Sequence, residues 1–481
     1  VDAAAKKYFV RDNRVTGVYL PSTDLKRAEV APAPDAAQVL KGYTFKTEGK
    51  VVEAFDATPE NINARTRMVT AGGVHLALLP KKSLGDTVEV RMLFTNGNAK
   101  TAGNMALNRV AAEMFMRGTK EYTREQIETQ FTKLKMEGNP FDFTTDREHL
   151  IEAIRFASHL ILNSTFPEEE FKVLSTQLAT RTKAASDDPQ TRARDAITAH
   201  FNTYPAGDAR HGETSKELLG EIEDLTVKDV REHIRKVFQT GEGYIALVGD
   251  FDPDEVTAAL SENLLGKKTA DVAFERPVAE YKPVEAARIV IDTPEKENAV
   301  LFARMDFPAN KDDADAAALY VADWILGGST GLSNRQKEGL SYGVGSTISL
   351  PRFGNRARWS VGLIAAPQSL KQAEASLIDE ISKAYANGVT QQELDEAKRG
   401  LLDYRAINRA QDRILAAQWV RLMEKDQDWL TAKALDEKIA SLTLEEVNAA
   451  MRRFTDVKSL TVVMAGDVKK AREAGHDFSK R

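Results

Sequence analysis

The chain contains no cysteine. Disulfides, thiolate catalysis and cysteine-bound zinc are excluded at once, while the redox compartment stays open. No apolar run reaches the roughly 18 residues that a membrane-spanning helix needs. An excess of one charge is missing too. The 66 Lys and Arg stand against 72 Asp and Glu, mixed along the chain, and the net of −6 argues against nucleic acid or another polyanion as partner. No GxGxxG or GxxxxGK segment exists to hold a dinucleotide or a nucleotide phosphate, and Tyr342-Gly343-Val344-Gly345 is too sparse in glycine to replace one. The seven histidines are scattered, with no pair three or four apart beside a carboxylate, so a histidine-built metal site has no visible framework.

What the chain does contain is a pattern that recurs. Leu225-Thr226-Val227-Lys228-Asp229-Val230 returns as Leu442-Thr443-Leu444-Glu445-Glu446-Val447. Tyr244 to Val248, closed by Gly249-Asp250, returns as Thr461 to Ala465, closed by Gly466-Asp467, at the same offset of 217 residues. Two motifs in register predict a duplicated unit of about 200 residues, and 481 residues accommodate two such domains plus an extra segment. Residues 1–60 read as the tail of a preceding domain, with a strand at Val15 to Leu20, followed by an extended linker rich in Pro and Ala. Residues 61–275 read as the first domain and 285–481 as the second. In the first, alternation predicts strands over Gly73 to Leu79, Thr87 to Phe94 and Phe141 to Thr145. A helix is expected from Met105 to Met116, closed at Gly118. In the second, strands are expected at Ala287 to Ile291, Asn298 to Met305 and Arg358 to Ala365, with an Ala-rich helix at 312–324. Thr390 opens a further helix with Glu393 at the capping-box position. Each copy is therefore α+β, paired strands under a layer of helices without βαβ alternation.

The sharpest local motif is the run from Arg335 to Gly345, RQKEGLSYGVG. It sets a guanidinium, Arg335, and a phenol, Tyr342, seven residues apart around the break at Gly339. Such a pair can face one ligand, with Arg335 gripping a carbonyl or carboxylate and Tyr342 donating a hydrogen bond to a developing oxyanion. A surface Arg and a half-buried Tyr after a turn would read the same in sequence.

The motif resembles the Arg/Tyr pair of the pitrilysin-type (M16) zinc metallopeptidases. The resemblance extends over nearly the whole chain. It takes in the recurrence, the turn before Arg335, Gly388-Val389-Thr390 followed by Glu393-Leu394, and the two Gly-Asp endings. It also takes in Arg11 to Pro21, RDNRVTGVYLP, which is similar to the end of the catalytic half in tandem bacterial members. The resemblance implies an active unit of two halves, each made of two homologous mixed α/β sandwich domains, enclosing a chamber. One half carries an inverted zinc motif, His-x-x-Glu-His, with a distant Glu ligand, and the other carries the Arg/Tyr pair.

Counted back from Gly118-Thr119, that zinc motif falls on Arg109-Val110-Ala111-Ala112-Glu113, and the distant acid on Gln177 to Lys183, which holds no carboxylate. Both imidazoles and the general base are gone, so no metal and no cofactor is expected in this segment. Arg109 and Glu113, four apart, read instead as an ion pair along a helix. The implied function is that of the inactive half of a bacterial zinc endopeptidase acting on extended peptides. Arg335 and Tyr342 are its catalytic contribution, and zinc is held by a catalytic half, fused upstream or separate. The implied compartment is the periplasm, with the cytoplasm as the alternative. The competing reading is a structural or peptide-binding scaffold of the same fold without a catalytic role. An independent enzyme of another class finds no nucleophile–base arrangement to support it.

Overall fold

The computed structural model describes residues 2–17, 53–327 and 343–476. Residues 2–17 fall in a unit of their own, Val1–Gly49. They form helix α1 (Asp2–Tyr8) and a 3-10 turn (Arg11–Asn13), neither with a buried residue. The strand expected from Val15 is not formed over residues 15–17, and Val15 is 99% exposed. A lone extended segment with no ladder to join gains nothing from strand geometry.

The second unit, Lys50–Arg481, is built on two sheets. Its first part runs α2 (Pro59–Arg65), β1 (Arg67–Ala71), β2 (Val74–Pro80), β3 (Thr87–Phe94), α3 (Met105–Met114), α4 (Arg124–Lys133), β4 (Glu137–Asn139), β5 (Asp142–Asp146), α5 (Leu150–Asn163), α6 (Glu168–Ala185), α7 (Pro189–His200), α8 (Ser215–Asp224), α9 (Val227–Val237), β6 (Gly243–Gly249) and α10 (Pro253–Asn263). The rest runs β7 (Arg288–Asp292), β8 (Ala299–Pro308), α11 (Ala316–Gly327), β9 (Gly343–Ser349), β10 (Arg356–Ala365), α12 (Leu370–Asn387), α13 (Gln391–Arg409), α14 (Asp412–Met423), α15 (Trp429–Ser441), α16 (Leu444–Arg452), β11 (Thr461–Gly466) and α17 (Val468–Glu473).

The strand orders are β1-β2-β6-β3-β5-β4 and β7-β11-β8-β10-β9. From β2 onward they coincide. β2 lies parallel to β6 as β7 lies parallel to β11, and the other neighbours are antiparallel in both. The recurrent sequence pieces occupy matching places. Thr226 and Thr443 each close a capping box at the start of α9 and α16, accepting the N–H of Asp229 and Glu446 at 3.3 Å. Gly249 and Gly466 end β6 and β11 where a Cβ would meet Thr87 O at 2.2 Å or Ala299 Cβ at 2.5 Å, so neither site tolerates a side chain.

Both sheets are buried on two faces, and each borrows one cover from the other part of the chain. Leu76, Leu78, Val90 and Met92 face α3, α5 and α9 in one core, while Ala77, Leu79, Ala246 and Val248 face Leu415, Trp419, Val420 and Met423 of α14. In the second sheet Leu301, Ala303, Trp359 and Met464 pack under α11, α12 and α16, while Val300, Val463 and Ala465 meet Ala193 of α7. α7 thus covers the second sheet and α14 the first, which ties the two parts together by reciprocal burial.

Two helix boundaries differ from expectation for local reasons. The Ala-rich helix starts at Ala316, not 312, because Asn310 and Asp313 spend their side chains on the backbone of a turn: Asp312 N–H donates to Asn310 (2.8 Å) and Asn310 N–H to Asp313 (3.0 Å). The helix from Met105 stops at Met114, with the Ser164 hydroxyl donating to Phe115 O at 3.1 Å. Strand β1, half-exposed and without alternation, carried no strand signal and forms only because β2 offers it an edge.

Candidate functional site

Arg335 and Tyr342 lie outside the described residues. The elements on either side of their segment are firmly held. α11 leads in, and β9, the edge strand of the second sheet, leads out. Asp323 on α11 joins them. Its carboxylate accepts from Ser346 Oγ (2.7 Å) and Ile348 N (2.9 Å) of β9 and from Trp359 Nε1 (3.1 Å) of β10. Burial pushes its pKa up, against the pull of these three donors. Gly343 and Gly345 sit on β9 with open space where a Cβ would be.

Residues 109–113, onto which the resemblance places the zinc motif, lie on α3. Asn104 caps it, accepting Leu107 N–H at 2.8 Å, and its inner face buries Ala106, Val110, Ala111 and Met114. Arg109, Ala112 and Glu113 sit on the outer face, where metal ligands would have to be. Arg109 Nε approaches Glu113 Oε1 at 3.6 Å, the ion pair the spacing suggested. The neighbouring stretch 177–183 belongs to α6, presents no carboxylate and turns Leu178 into the core. A guanidinium, a methyl group and one carboxylate do not make a zinc site, and among the described residues no three His, Asp or Glu side chains gather anywhere. Beside α3 lies an apolar cavity of about 250 Å³ bounded by Ala112, Phe94, Phe115, Phe141 and His233. Burial holds the His233 imidazole below its usual pKa.

Sequence reasoning missed a carboxyl pair on the first turn of α3. Glu213 accepts Met105 N–H at 2.7 Å, and the Ala106 N–H serves Glu221. The outer oxygens of both acids are buried. Burial, then the nearby charge and hydrogen bond of Glu213, push Glu221 up to about 7. The neighbouring carboxyl and lost solvation thus disfavour the charged form of Glu221, against the pull of the Ala106 N–H at the helix N-terminus. Neither residue belongs to a sequence motif. The only available signal was the capping box of Thr214 and Glu217, which fixes α8 and hence the position of Glu221.

The histidines serve the fold. His200 Nε2 lies 2.9 Å from Glu285 O and 3.2 Å from Thr461 Oγ1, and His211 Nδ1 lies 2.9 Å from Tyr204 O. His476 is 5% exposed and lies 3.1 Å from Glu374.

Residues 224–401 match the family described as the peptidase M16 inactive domain. The chain is 22% identical over 396 residues to the non-peptidase homolog YmxG of Helicobacter pylori (strain ATCC 700392 / 26695), across 79% of this chain and 89% of that protein. The crystal structure of a peptidase M16 inactive domain from Pseudomonas fluorescens matches with a TM-score of 0.69 at 22% identity, over 83% of this chain and 97% of its own. The periplasmic protease PqqL from Escherichia coli matches with a TM-score of 0.64 at 13% identity, over 97% of this chain and 51% of that one. Residues 224–401 thus resemble the peptidase M16 inactive domain, and the chain shares the mixed α/β fold of these structures.

Proposed function

We propose that this chain is the zinc-free half of a zinc-dependent endopeptidase. It supplies Arg335 and Tyr342 to a site whose metal is held by a second M16 half, fused or separate, and it helps enclose an extended peptide. The observation that carries this reading is the contrast on α3. The helix keeps its cap and its buried face, yet offers Arg109, Ala112 and Glu113 where zinc chemistry needs His, Glu and His. The retained Arg335–Gly345 run supports it, since a scaffold has no chemical need for both side chains. That PqqL is about twice as long as this chain supports a two-half assembly, and its description as periplasmic supports the same compartment here. In this reading 61–275 and 285–481 are two copies of one domain, which the shared strand order supports.

The test is reconstitution with a zinc-bearing M16 half and kinetics on a fluorogenic peptide. Tyr342→Phe should lower kcat with KM nearly unchanged, because a donor to a developing oxyanion acts in the transition state and its loss costs about 3–4 kcal/mol. Arg335→Ala should damage both parameters, since a guanidinium on the substrate backbone acts throughout. The name of the H. pylori relative favours a second reading, a peptide-binding scaffold without catalysis. An unchanged kcat in Tyr342→Phe would reduce this half to a structural partner and sink the catalytic role of the pair.

A further inference from the structure

A cavity of about 550 Å³ opens between α11, α13, α14 and α15. Part of its wall is apolar, made by Leu401, Leu422, Leu435 and Ile439 with Tyr320 and Tyr404. The rest is cationic. Lys311, Arg352, Arg405, Arg421, Lys425 and Lys438 line it, against carboxylates from Asp312 and Asp313 alone.

Four of these cations are committed to the fold. Arg352 pairs with Glu424, Arg405 with Asp436, Lys425 with Asp312, and Lys438 with Glu446 at 2.6 Å. Asp313 is occupied in turn by the Asn310 N–H. Lys311 and Arg421 are left with no carboxylate among the described residues. Both residues are exposed at the edge of the cavity, and crowding by protein around the Lys311 ammonium, then the fields of Arg352, Arg421, Lys425 and Arg405, hold it below the usual lysine range. Like charges converging on one concavity repel one another, and the fold supplies no counter-charge for two of them.

We propose that this cavity binds a small organic anion with an apolar body, its carboxylate or phosphate group held by Lys311 and Arg421. An ammonium beside guanidinium forks suits either headgroup, the leucine wall takes the body, and the volume falls in the range of small-molecule sites. The four helices also connect the two covers of the fold, since α14 packs on the first sheet and α11 on the second. An occupant touching all four stabilises the whole unit by linkage. The proposal does not rest on the peptidase reading: Tyr342→Phe leaves this affinity unchanged.

The test is titration calorimetry and thermal melting of the full chain with octanoate and octyl phosphate, both kept below micelle formation. Octanol, octylammonium, acetate and inorganic phosphate are the controls. At least one octyl anion should bind saturably, one per chain, and raise Tm, and the tighter of the two identifies the headgroup. Affinity should fall about tenfold or more in Lys311→Gln and again in Arg421→Gln, as loss of a charge-assisted hydrogen bond does. Neither residue holds an ion pair of the fold, so both variants should melt as the parent does without ligand. Leu435→Glu, which sets a charge in the apolar wall, should weaken binding independently. The idea is overturned if neither octyl anion saturates in the millimolar range, if octanol or octylammonium binds as well, or if the Lys311→Gln, Arg421→Gln double variant keeps parental affinity.

Discussion

Replacing Trp419 by alanine should destabilise the first sheet and the helices around it by about 3 kcal/mol. The side chain is 1% exposed, in the core that α14 forms with Ala77, Leu79, Ala246 and Val248, and its ring lies 6.3 Å from that of Trp429. Burying an indole removes about 200 Å² from water, a gross gain of about 5 kcal/mol at 25 cal/mol per Å². Against this stands Nε1, which is buried with no acceptor among the described residues, a penalty of about 1–3 kcal/mol that truncation abolishes. The difference lies at the lower end of measured aromatic-to-alanine losses, about 3–5 kcal/mol. Trp419→Phe keeps most of the ring contact and discards the stranded N–H, so it should cost less than about 1 kcal/mol. Urea denaturation followed by far-UV circular dichroism gives the midpoints, and a chain this long need not unfold in two states. Hydrogen exchange at the β6 amides therefore gives the local value. The reasoning fails if Trp419→Ala is within about 0.5 kcal/mol of the parent, or if Trp419→Phe is as damaging as Trp419→Ala.

Stability should also depend on pH through Glu221. Its folded-state pKa of about 7 lies above the ordinary 4.5, so its contribution is fully present below about 4.5 and is lost as pH rises through about 7. Glu221→Gln, neutral throughout, should flatten the Tm profile between those limits, and parallel profiles would contradict this. Gly388→Ala should cost about 1–3 kcal/mol in a denaturant melt, because φ is +70° and the new Cβ would sit 2.4 Å from Asn448 Oδ1, the acceptor of Val389 N–H. A neutral result would mean that the α12–α13 junction relaxes freely. Elemental analysis of the purified chain should find far less than one zinc per molecule, and one tightly held zinc removable only by chelator would refute the reading of α3.

The central strands were legible because they carry period-2 patterns or short apolar runs between turn signals, whereas β1 and β4 were not, and the capping box at Thr390 fixed a helix start. The run Leu76-Ala77-Leu78-Leu79 also carried the information that β2 is buried on both faces. What no pattern could reveal is the identity of each cover. An amphipathic stripe on α14 says that a face is buried without saying that the first sheet lies under it, some 170 residues back from Trp419 at Val248. The Glu213 and Glu221 pair was invisible for the same reason, since only the fold brings two acids that belong to no motif onto the first turn of α3. The Arg335 and Tyr342 assignments came from resemblance, and their segment lies outside the described residues.

On the proposed reading, the persistence of α3 without zinc ligands follows from the geometry of a helix whose two faces are constrained differently. Its inner face, Ala106, Val110, Ala111 and Met114, is fixed by packing, where one wrong volume costs kilocalories. Its first turn is fixed by Asn104 and by the two glutamates that take its free N–H groups. Residues that ligate a metal must instead project outward, and positions 109, 112 and 113 form that outer face. Exchanging their side chains removes no packing, and Arg109 with Glu113 recovers about 0.3–0.5 kcal/mol at most as an exposed i,i+4 pair. On that reading the packing face and the positions matched to zinc ligands lie on opposite sides of one helix, so one set of side chains can change without the other. The neighbouring stretch 177–183 of α6 offers no carboxylate either. New imidazoles on α3 alone would lack the third protein ligand that a catalytic zinc requires.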